Sequence, residues 1–350
     1  MSLTGDIRYL VSRKNKARYI GWLGYDNLGD EILFDAFNKY FDKNVAFYSK
    51  SYISRIVKYS QNNFRNVFLG GGTLINVDSY LEPLNEFNYE KKIVFGTGVA
   101  NSNFWKDIDG YNERKEQWVE FLDSVDFIGV RGPMSAEILE SWGVKNRVSV
   151  IGDPALAFAR SAIKTKKKTR TIGINVGDAR NLLWGQDQNG FLSQCKLLVE
   201  ELVSQGWNIT FFPVCPGDKR IIDELMVSFS SKNIKVIENF LCLESFMQEL
   251  DEVDIFVGEK LHASIISICS LTPTIMLEYR PKCNDFMRSV NMEQYSVRTD
   301  QIDIDLLIEM IEGLYENADA AQEQLLIETS KYRGKLDEAA RHVIDIITSR

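Results

Sequence analysis

The sequence predicts an α/β protein made of parallel sheets with crossover helices, arranged as two similar halves and a helical tail. Three observations predict it. Short β-branched or aromatic runs alternate with helix-periodic stretches along most of the chain. Nearly every such run in the first half stops at a glycine or a polar turn. A chain of 350 residues is also long for a single core, so two domains are expected.

In the first half the strand-like runs are Arg18 to Trp22, Val67 to Leu69, Ile93 to Phe95, Phe127 to Val130 and Val148 to Ile151. Helical stretches fit Glu31 to Phe41 and Ser135 to Trp142. The basic segment Ser161 to Arg170 has no apolar periodicity and reads as an interdomain linker. Beyond it, Thr171 to Val176, Trp207 to Phe212, Ile234 to Ile237, Val253 to Val257 and Thr274 to Leu277 read as strands. Helices fit Phe191 to Gln205, Lys219 to Phe229, Leu243 to Leu250 and Ala263 to Cys269. The expected division is therefore 1–160, a linker at 161–170, 171–302, and a helical tail at 303–350. His342 in that tail sits among Ala339, Ala340, Val343 and Ile346 and reads as a structural helix residue.

Composition narrows the function. A net charge of −8 argues against a bulk basic surface for nucleic acid, so any anion must be met by local Arg and Lys clusters. The five cysteines lie at 195, 215, 242, 269 and 283, odd in number and without a CxxC pair. They suit a reducing cytoplasm better than a disulfide framework or a zinc site. The two histidines, His262 and His342, are too far apart in sequence for an ordinary His-based metal site, so no metal is expected. Neither a signal peptide nor a transmembrane segment is expected, since no long apolar window occurs.

His262 stands where an α/β enzyme places a reacting group. It follows the strand Val253 to Val257, in Gly258-Glu259-Lys260-Leu261-His262, at the start of a helix. Ligands of open parallel sheets bind beyond the strands' carboxyl ends, and a helix N-terminus favours an anion there. The alternative is that His262 packs or caps.

Several turns invite a ligand. The first, Gly21 to Glu31, is not GxGxxG, and Asp30-Glu31 stands where a nucleotide-binding loop needs Lys and Ser or Thr, so an ATPase is rejected. Asn27 and Asp30 there either hydrogen-bond sugar hydroxyls or cap the helix. Gly70-Gly71-Gly72-Thr73 and Gly96-Thr97-Gly98 read as turns that bring backbone NH groups close to a ligand. Arg131 precedes Gly132-Pro133, and its donor fork suits carboxylate or phosphate; a surface ion pair is the alternative. Asp153, in Gly152-Asp153-Pro154, is a turn residue or an acid–base group. Arg180 follows the first strand of the second half, and Arg280 and Lys282 follow its last.

Taken in order, these pieces resemble the polysaccharide pyruvyl transferase family. The matching residues are Asn27-x-Gly29-Asp30-Glu31, Gly70-Gly71-Gly72-Thr73, Gly96-Thr97-Gly98, Arg131 with Ser135 and Leu139, Gly152-Asp153-Pro154, Lys260-Leu261-His262-Ala263, Pro273 and Tyr279-x-x-Lys282. Where the family usually has Arg-Leu-His, this chain has Lys260-Leu261-His262; lysine keeps the charge and loses the bidentate fork.

The resemblance implies two Rossmann-like domains facing across a cleft, similar to the B-type glycosyltransferases. It implies phosphoenolpyruvate as donor, a saccharide or lipid-linked saccharide as acceptor, a pyruvate ketal as product, and no cofactor. It also implies work in the cytoplasm or at the inner face of the membrane. Ketal formation needs a proton on the enol carbon, and His262 is the well-placed group that titrates near neutrality. Arg131, Lys260 and Lys282 would offset donor charge, with Gly71, Gly72 and Thr73 beside them. Asn27 and Asp30 would meet the acceptor, and Asp153 or Glu259 would take a hydroxyl proton. Two other readings suit the same fold. One is a nucleotide-sugar glycosyltransferase, with Glu278 on a ribose hydroxyl; the other is a non-catalytic saccharide-binding relative.

Overall fold

Two parallel sheets organise the chain, each within its own unit. The computed structural model describes residues 12, 14–48, 65–106, 108, 113–164, 167–229 and 233–349. The first unit is Met1–Tyr25, Asp30–Ala157 and Tyr332–Arg350; the second is Asp26–Gly29 and Phe158–Lys331.

The first unit's strands are β1 (Asn15–Ile20), β2 (Val45–Tyr48), β3 (Asn66–Leu69), β4 (Gly72–Ile75), β5 (Lys91–Val99), β6 (Phe127–Val130) and β7 (Val148–Val150). Their order is β2-β1-β3-β5-β6-β7, with β4 added against β5. The helices that matter below are α1 (Leu28–Phe41) and α2 (Pro133–Ser141). The chain leaves β1 toward β2 on one side and continues from β3 on the other, so the order reverses between β1 and β3. Parallel pairing brings the ends of β1 and β3 together, Ile20 opposite Leu69.

Aromatic packing fixes this sheet. Phe37 and Phe41 on α1 meet Phe68 and Phe95 on the strands with ring centroids 5.2 to 6.1 Å apart. All four are fully buried. Rings of this size carry the largest apolar areas a core can bury. On the other face Trp118, Phe121 and Leu122 pack against Val67, Leu69, Val94 and Ile128.

The second unit's strands are β8 (Thr171–Asn175), β9 (Asn208–Phe211), β10 (Ile234–Val236), β11 (Ile255–Gly258), β12 (Thr274–Glu278) and β13 (Ser296–Arg298). They run in the order β10-β9-β8-β11-β12-β13, all parallel, which is the dinucleotide-fold order. Here the order reverses between β8 and β11. The helices are α3 (Gln188–Ser204), α4 (Pro216–Met226), α5 (Leu243–Leu250), α6 (Leu261–Cys269) and α7 (Pro281–Ser289). The tail is helical, as α8 (Ile304–Glu316) and α9 (Ala318–Thr348).

Ser161–Arg170 lies on the second unit, apart from Thr165 and Lys166, which fall outside the described residues. Lys164 pairs with Asp251 at 2.7 Å. Arg170 pairs with Glu312 at 2.5 Å and lies over the Trp207 ring. These partners come from distant parts of the chain, which explains a basic run without periodicity.

Of two turns read from the sequence, one is shorter than expected, confined to Gly70 and Gly71, and the other is a strand instead. Gly72 and Thr73 begin β4, opposite Thr97 and Gly98 of β5. Gly96, Thr97 and Gly98 are interior to β5, not a turn after it. Gly96 has φ +72, and the pairing with β6 shifts register between Phe95 and Thr97. A glycine with positive φ at a register shift is a bulge, where a side chain would be strained. Glycine there looks like a strand end but extends the strand by a kink. Three short strands, β2, β4 and β13, were not expected from the sequence; each is only three or four residues long and pairs with a longer-range neighbour.

Candidate functional site

In the first unit, β4, β5 and the turn after β7 converge on one arginine that follows β6. Arg131 follows β6 directly, is 1% exposed, and its Nη2 donates to Thr73 Oγ1 at 2.7 Å. Nη1 lies 3.8 Å from Asp153 Oδ2, and Asp153 is itself fully buried. A Cβ at Gly98 would overlap the guanidinium, so this glycine is the space the arginine fills. Position is set from below: Arg131 N donates to Thr97 O at 3.0 Å, and Ser135 Oγ on α2 accepts from Val99 N at 3.1 Å. Burying a guanidinium demands partners of opposite charge. Asp153 supplies that charge while its Oδ1 accepts from Ala155 N at 3.0 Å, closing the turn. Arg131, Thr73 and Asp153 are thus brought together, and Gly72 lies beside them in β4.

Three other glycines of this unit answer to packing. A Cβ at Gly21 or Gly70 would run into the buried ring of Tyr19, and one at Gly71 into Leu33. Burial raises the Tyr19 phenol, and the nearby carboxylates of Asp30, Asp153 and Glu31 push it in the same direction. Asp30 and Glu31 occupy the first turn of α1, where helix dipole and acid agree. Asn27 caps that helix: its Oδ1 accepts from Gly29 N at 3.0 Å.

In the second unit, β11 ends at Gly258, and Glu259, Lys260 and His262 follow at the reversal beside β8. Lys260 is the N-cap residue of α6, and His262 lies in that helix's first turn, 9% exposed. The imidazole packs on Gly29, where a Cβ would overlap it. Leu28 N donates to Val214 O at 2.9 Å, which holds the Asp26–Gly29 segment in this unit.

Lys260 is held by acids. Its Nζ lies 3.5 Å from Glu259 Oε1 and 3.9 Å from Asp218 Oδ1, and it donates to Asp178 O at 3.0 Å. Both carboxylates are fully buried. Asn175 ties the set together: its Oδ1 accepts from Lys260 N at 2.8 Å and its Nδ2 donates to Phe212 O at 2.8 Å. Glu259 Oε2 accepts from Gly177 N at 2.6 Å. Burial raises the carboxyls of Glu259 and Asp218 despite the neighbouring ammonium. Burial works against the Lys260 ammonium, and the two acids outweigh it, so its affinity for the proton rises. Glu259 was legible as an acid near the site. Asp218 and Asn175 were not, because one lies in the first turn of α4 and the other at the end of β8.

Tyr279, just after β12, gathers the basic groups. Lys260 Nζ, the Arg280 guanidinium and Lys282 Nζ lie 5.3, 4.9 and 4.9 Å from its ring centroid. A ring's negative face lets like charges share one neighbourhood. Lys282 sits in the first turn of α7, after Pro281. Arg180 stays apart, exposed on the loop after β8. Glu278 is engaged elsewhere, its Oε1 accepting from the Trp184 indole at 2.9 Å.

Other features lie away from these residues. A groove of about 600 Å³ along β7 and α9 is lined by Phe127, Arg147, Lys335 and His342, among others, and by none of the residues expected at the site. His342 meets Phe127 edge-on at 5.8 Å. Among the described residues, no group of three or more His, Cys, Asp or Glu could hold a metal ion, and no helix is long and apolar enough to cross a membrane.

The fold is shared with solved structures. A putative UDP-N-acetylglucosamine 2-epimerase from Listeria monocytogenes is similar with a TM-score of 0.56 at 12% identity, covering 96% of each chain. MnaA of S. aureus, solved with UDP, is similar at 0.59 and 9%, covering 95% of this chain and 96% of that one. A UDP-GlcNAc 2-epimerase from Neisseria meningitidis, bound to UDP-GlcNAc, follows at 0.53 and 11%, covering 94% and 98%. At such identities the likeness shows the fold, the two-unit Rossmann-like type expected from the sequence. No curated protein matches by sequence. A family model does: residues 27–281, well over half the chain, match Polysaccharide pyruvyl transferase, and the chain belongs to that family.

Proposed function

We propose that the protein transfers the pyruvyl group of phosphoenolpyruvate to two hydroxyls of a saccharide, releasing phosphate and leaving a pyruvate ketal. The observation that carries this reading is the Lys260-Leu261-His262 turn, at the reversal of the second sheet and inside the family match. It offers a proton donor at a helix N-terminus, with the basic groups around Tyr279 in the same unit.

His262 gives its proton to the methylene carbon of the donor, which makes the neighbouring carbon electrophilic. One acceptor hydroxyl attacks that carbon, the carbon–oxygen bond to phosphate breaks, and the second hydroxyl closes the ketal. The two hydroxyl protons end on the methyl group, by way of His262, and on the phosphate. The balance closes without a further cofactor.

In this reading Lys282 and Lys260 offset donor charge in the second unit. Arg131, Thr73, Gly71 and Gly72 are the donor-binding set of the first. Asn27 and Asp30 meet the acceptor. Asp153 and Glu259 remain the two candidates for taking up a hydroxyl proton. Both are buried, and burial raises the Glu259 carboxyl, which strengthens it as a proton acceptor. The odd number of cysteines and the lack of a CxxC spacing favour a reducing compartment, hence the cytoplasm or the inner face of the membrane.

Phosphorus NMR tests the reading. Phosphoenolpyruvate with a saccharide acceptor should yield inorganic phosphate, and carbon NMR should show a ketal carbon on the sugar. Release of a nucleotide from a nucleotide sugar, with phosphoenolpyruvate untouched, would overturn it.

A further inference from the structure

The turn after β1 carries an aromatic pair that neither the core nor the chemistry above uses. Trp22 and Tyr25 stack on each other, ring centroids 4.1 Å apart and planes within 19°. They are 48% and 45% exposed, although Tyr19, Phe37, Phe41, Phe68 and Phe95 around α1 are buried. The turn between them is held: Glu31 Oε1 accepts from Gly24 N at 2.7 Å. Rings ordered against one another lose little rotamer freedom when a ligand arrives. They follow β1 at the point where the first sheet reverses.

The surroundings select the ligand. Asp30 and Glu31 lie in the adjoining helix turn, and Tyr80 lies near Asp30 and Tyr25: burial raises its phenol, and both neighbours add to the rise. The outer π-faces are electron-rich, and these carboxylates repel anions. A phosphorylated donor or a nucleic acid therefore gains nothing here. A neutral pyranose gains twice: its C–H face lies on a ring, and its hydroxyls reach a carboxylate and a phenol at the rim.

We propose that Trp22 and Tyr25 form a stacking platform for a neutral sugar ring of the acceptor, with Asp30 and Tyr80 hydrogen-bonding its hydroxyls. This rests on the reading that the acceptor is a saccharide. Specificity for the acceptor then resides in the turn after β1 and the start of α1, in side chains other than the histidine that handles the proton.

Saturation-transfer NMR with the methyl glycosides of glucose, galactose, mannose and N-acetylglucosamine tests it. At least one should bind the wild-type protein. Its Kd should rise about tenfold in Trp22→Ala and in Tyr25→Ala, and stay within about threefold in Trp22→Phe, with unchanged melting temperatures. Binding of no glycoside, or equal binding by both alanine variants, overturns the platform. Phosphate release from phosphoenolpyruvate with the same glycosides separates the two ideas. A glycoside bound through Trp22 but never turned over leaves the platform standing and removes pyruvyl transfer. Turnover with an unchanged acceptor KM in both alanine variants does the reverse.

Discussion

The imidazole of His262 rests on the α-carbon of Gly29, so closely that a methyl group at position 29 would overlap it. Gly29 lies in the first turn of α1, where glycine costs about 0.5–1 kcal/mol relative to alanine. The contact is the reason the cost is borne: the missing side chain at Gly29 leaves the space that the ring fills.

Gly29→Ala should therefore act on His262. Overpacking a filled site costs about 1–3 kcal/mol, so the melting temperature should fall. If the ring shifts to make room, activity should fall further than stability explains. Thermal melts and phosphate-release rates on the same preparation separate the two. A variant with wild-type turnover would show that the ring's position does not matter to the reaction.

His262→Ala should lose roughly 100- to 10,000-fold in turnover, the usual worth of a placed proton donor. Removing a side chain that packs on a glycine should leave the fold intact. Circular dichroism checks the fold and a coupled phosphate assay the rate. Turnover at the wild-type rate would remove His262 as the acid.

Lys260→Met should be among the most destabilising single changes in the second unit. It leaves Glu259 and Asp218 buried without their cation, and breaking such a set costs about 3–5 kcal/mol. Adding Glu259→Gln and Asp218→Asn should recover part of the loss. Denaturant melts of the single and triple variants measure it; equal stabilities would mean the three charges are not coupled.

Glu259 also makes a pH prediction. Its carboxyl is raised in the folded state, so the fold holds the proton more tightly than the unfolded chain does. The contribution of this group to stability is therefore fully present below the unfolded carboxylate value and is lost as pH rises through the folded one. Relative to Glu259→Gln, the wild type should gain stability as pH falls from 8 toward about 4.5, the ordinary glutamate range. Melting temperatures of both proteins across that range test it. A difference that stays flat, or grows with rising pH, contradicts the assignment.

Arg131→Lys keeps the charge and loses the fork that reaches Thr73 and Asp153 at once. Its dissociation constant for phosphoenolpyruvate should rise about tenfold or more, with a modest loss of stability. Gly98→Ala, which pushes on the guanidinium from below, should move binding in the same direction. Calorimetry with phosphoenolpyruvate reads both. Unchanged affinity in the two variants would make Arg131 a core ion pair only.

Parts of this were legible in the residues. The strand β11, the helix start at Leu261–His262 and Arg131 after β6 are local features: an apolar run, a polar turn, a helix period. The glycines misled where one residue type answers to different constraints. Gly96 is a bulge inside β5, Gly70 clears Tyr19, and Gly98 seats Arg131. All three read alike in sequence, as turns open to a ligand. Asp218 and Asn175 gave no signal, because their partner Lys260 stands 42 and 85 residues further along.

By itself the sequence determined the alternation of strands and helices, the division into parallel sheets and the family, since these rest on local periodicity and short ordered motifs. Tertiary structure decided which charges neutralise one another and which glycines are spaces for side chains. Pairing energies and steric fit depend on distances of a few ångströms, and those exist only once strands far apart in the chain lie side by side.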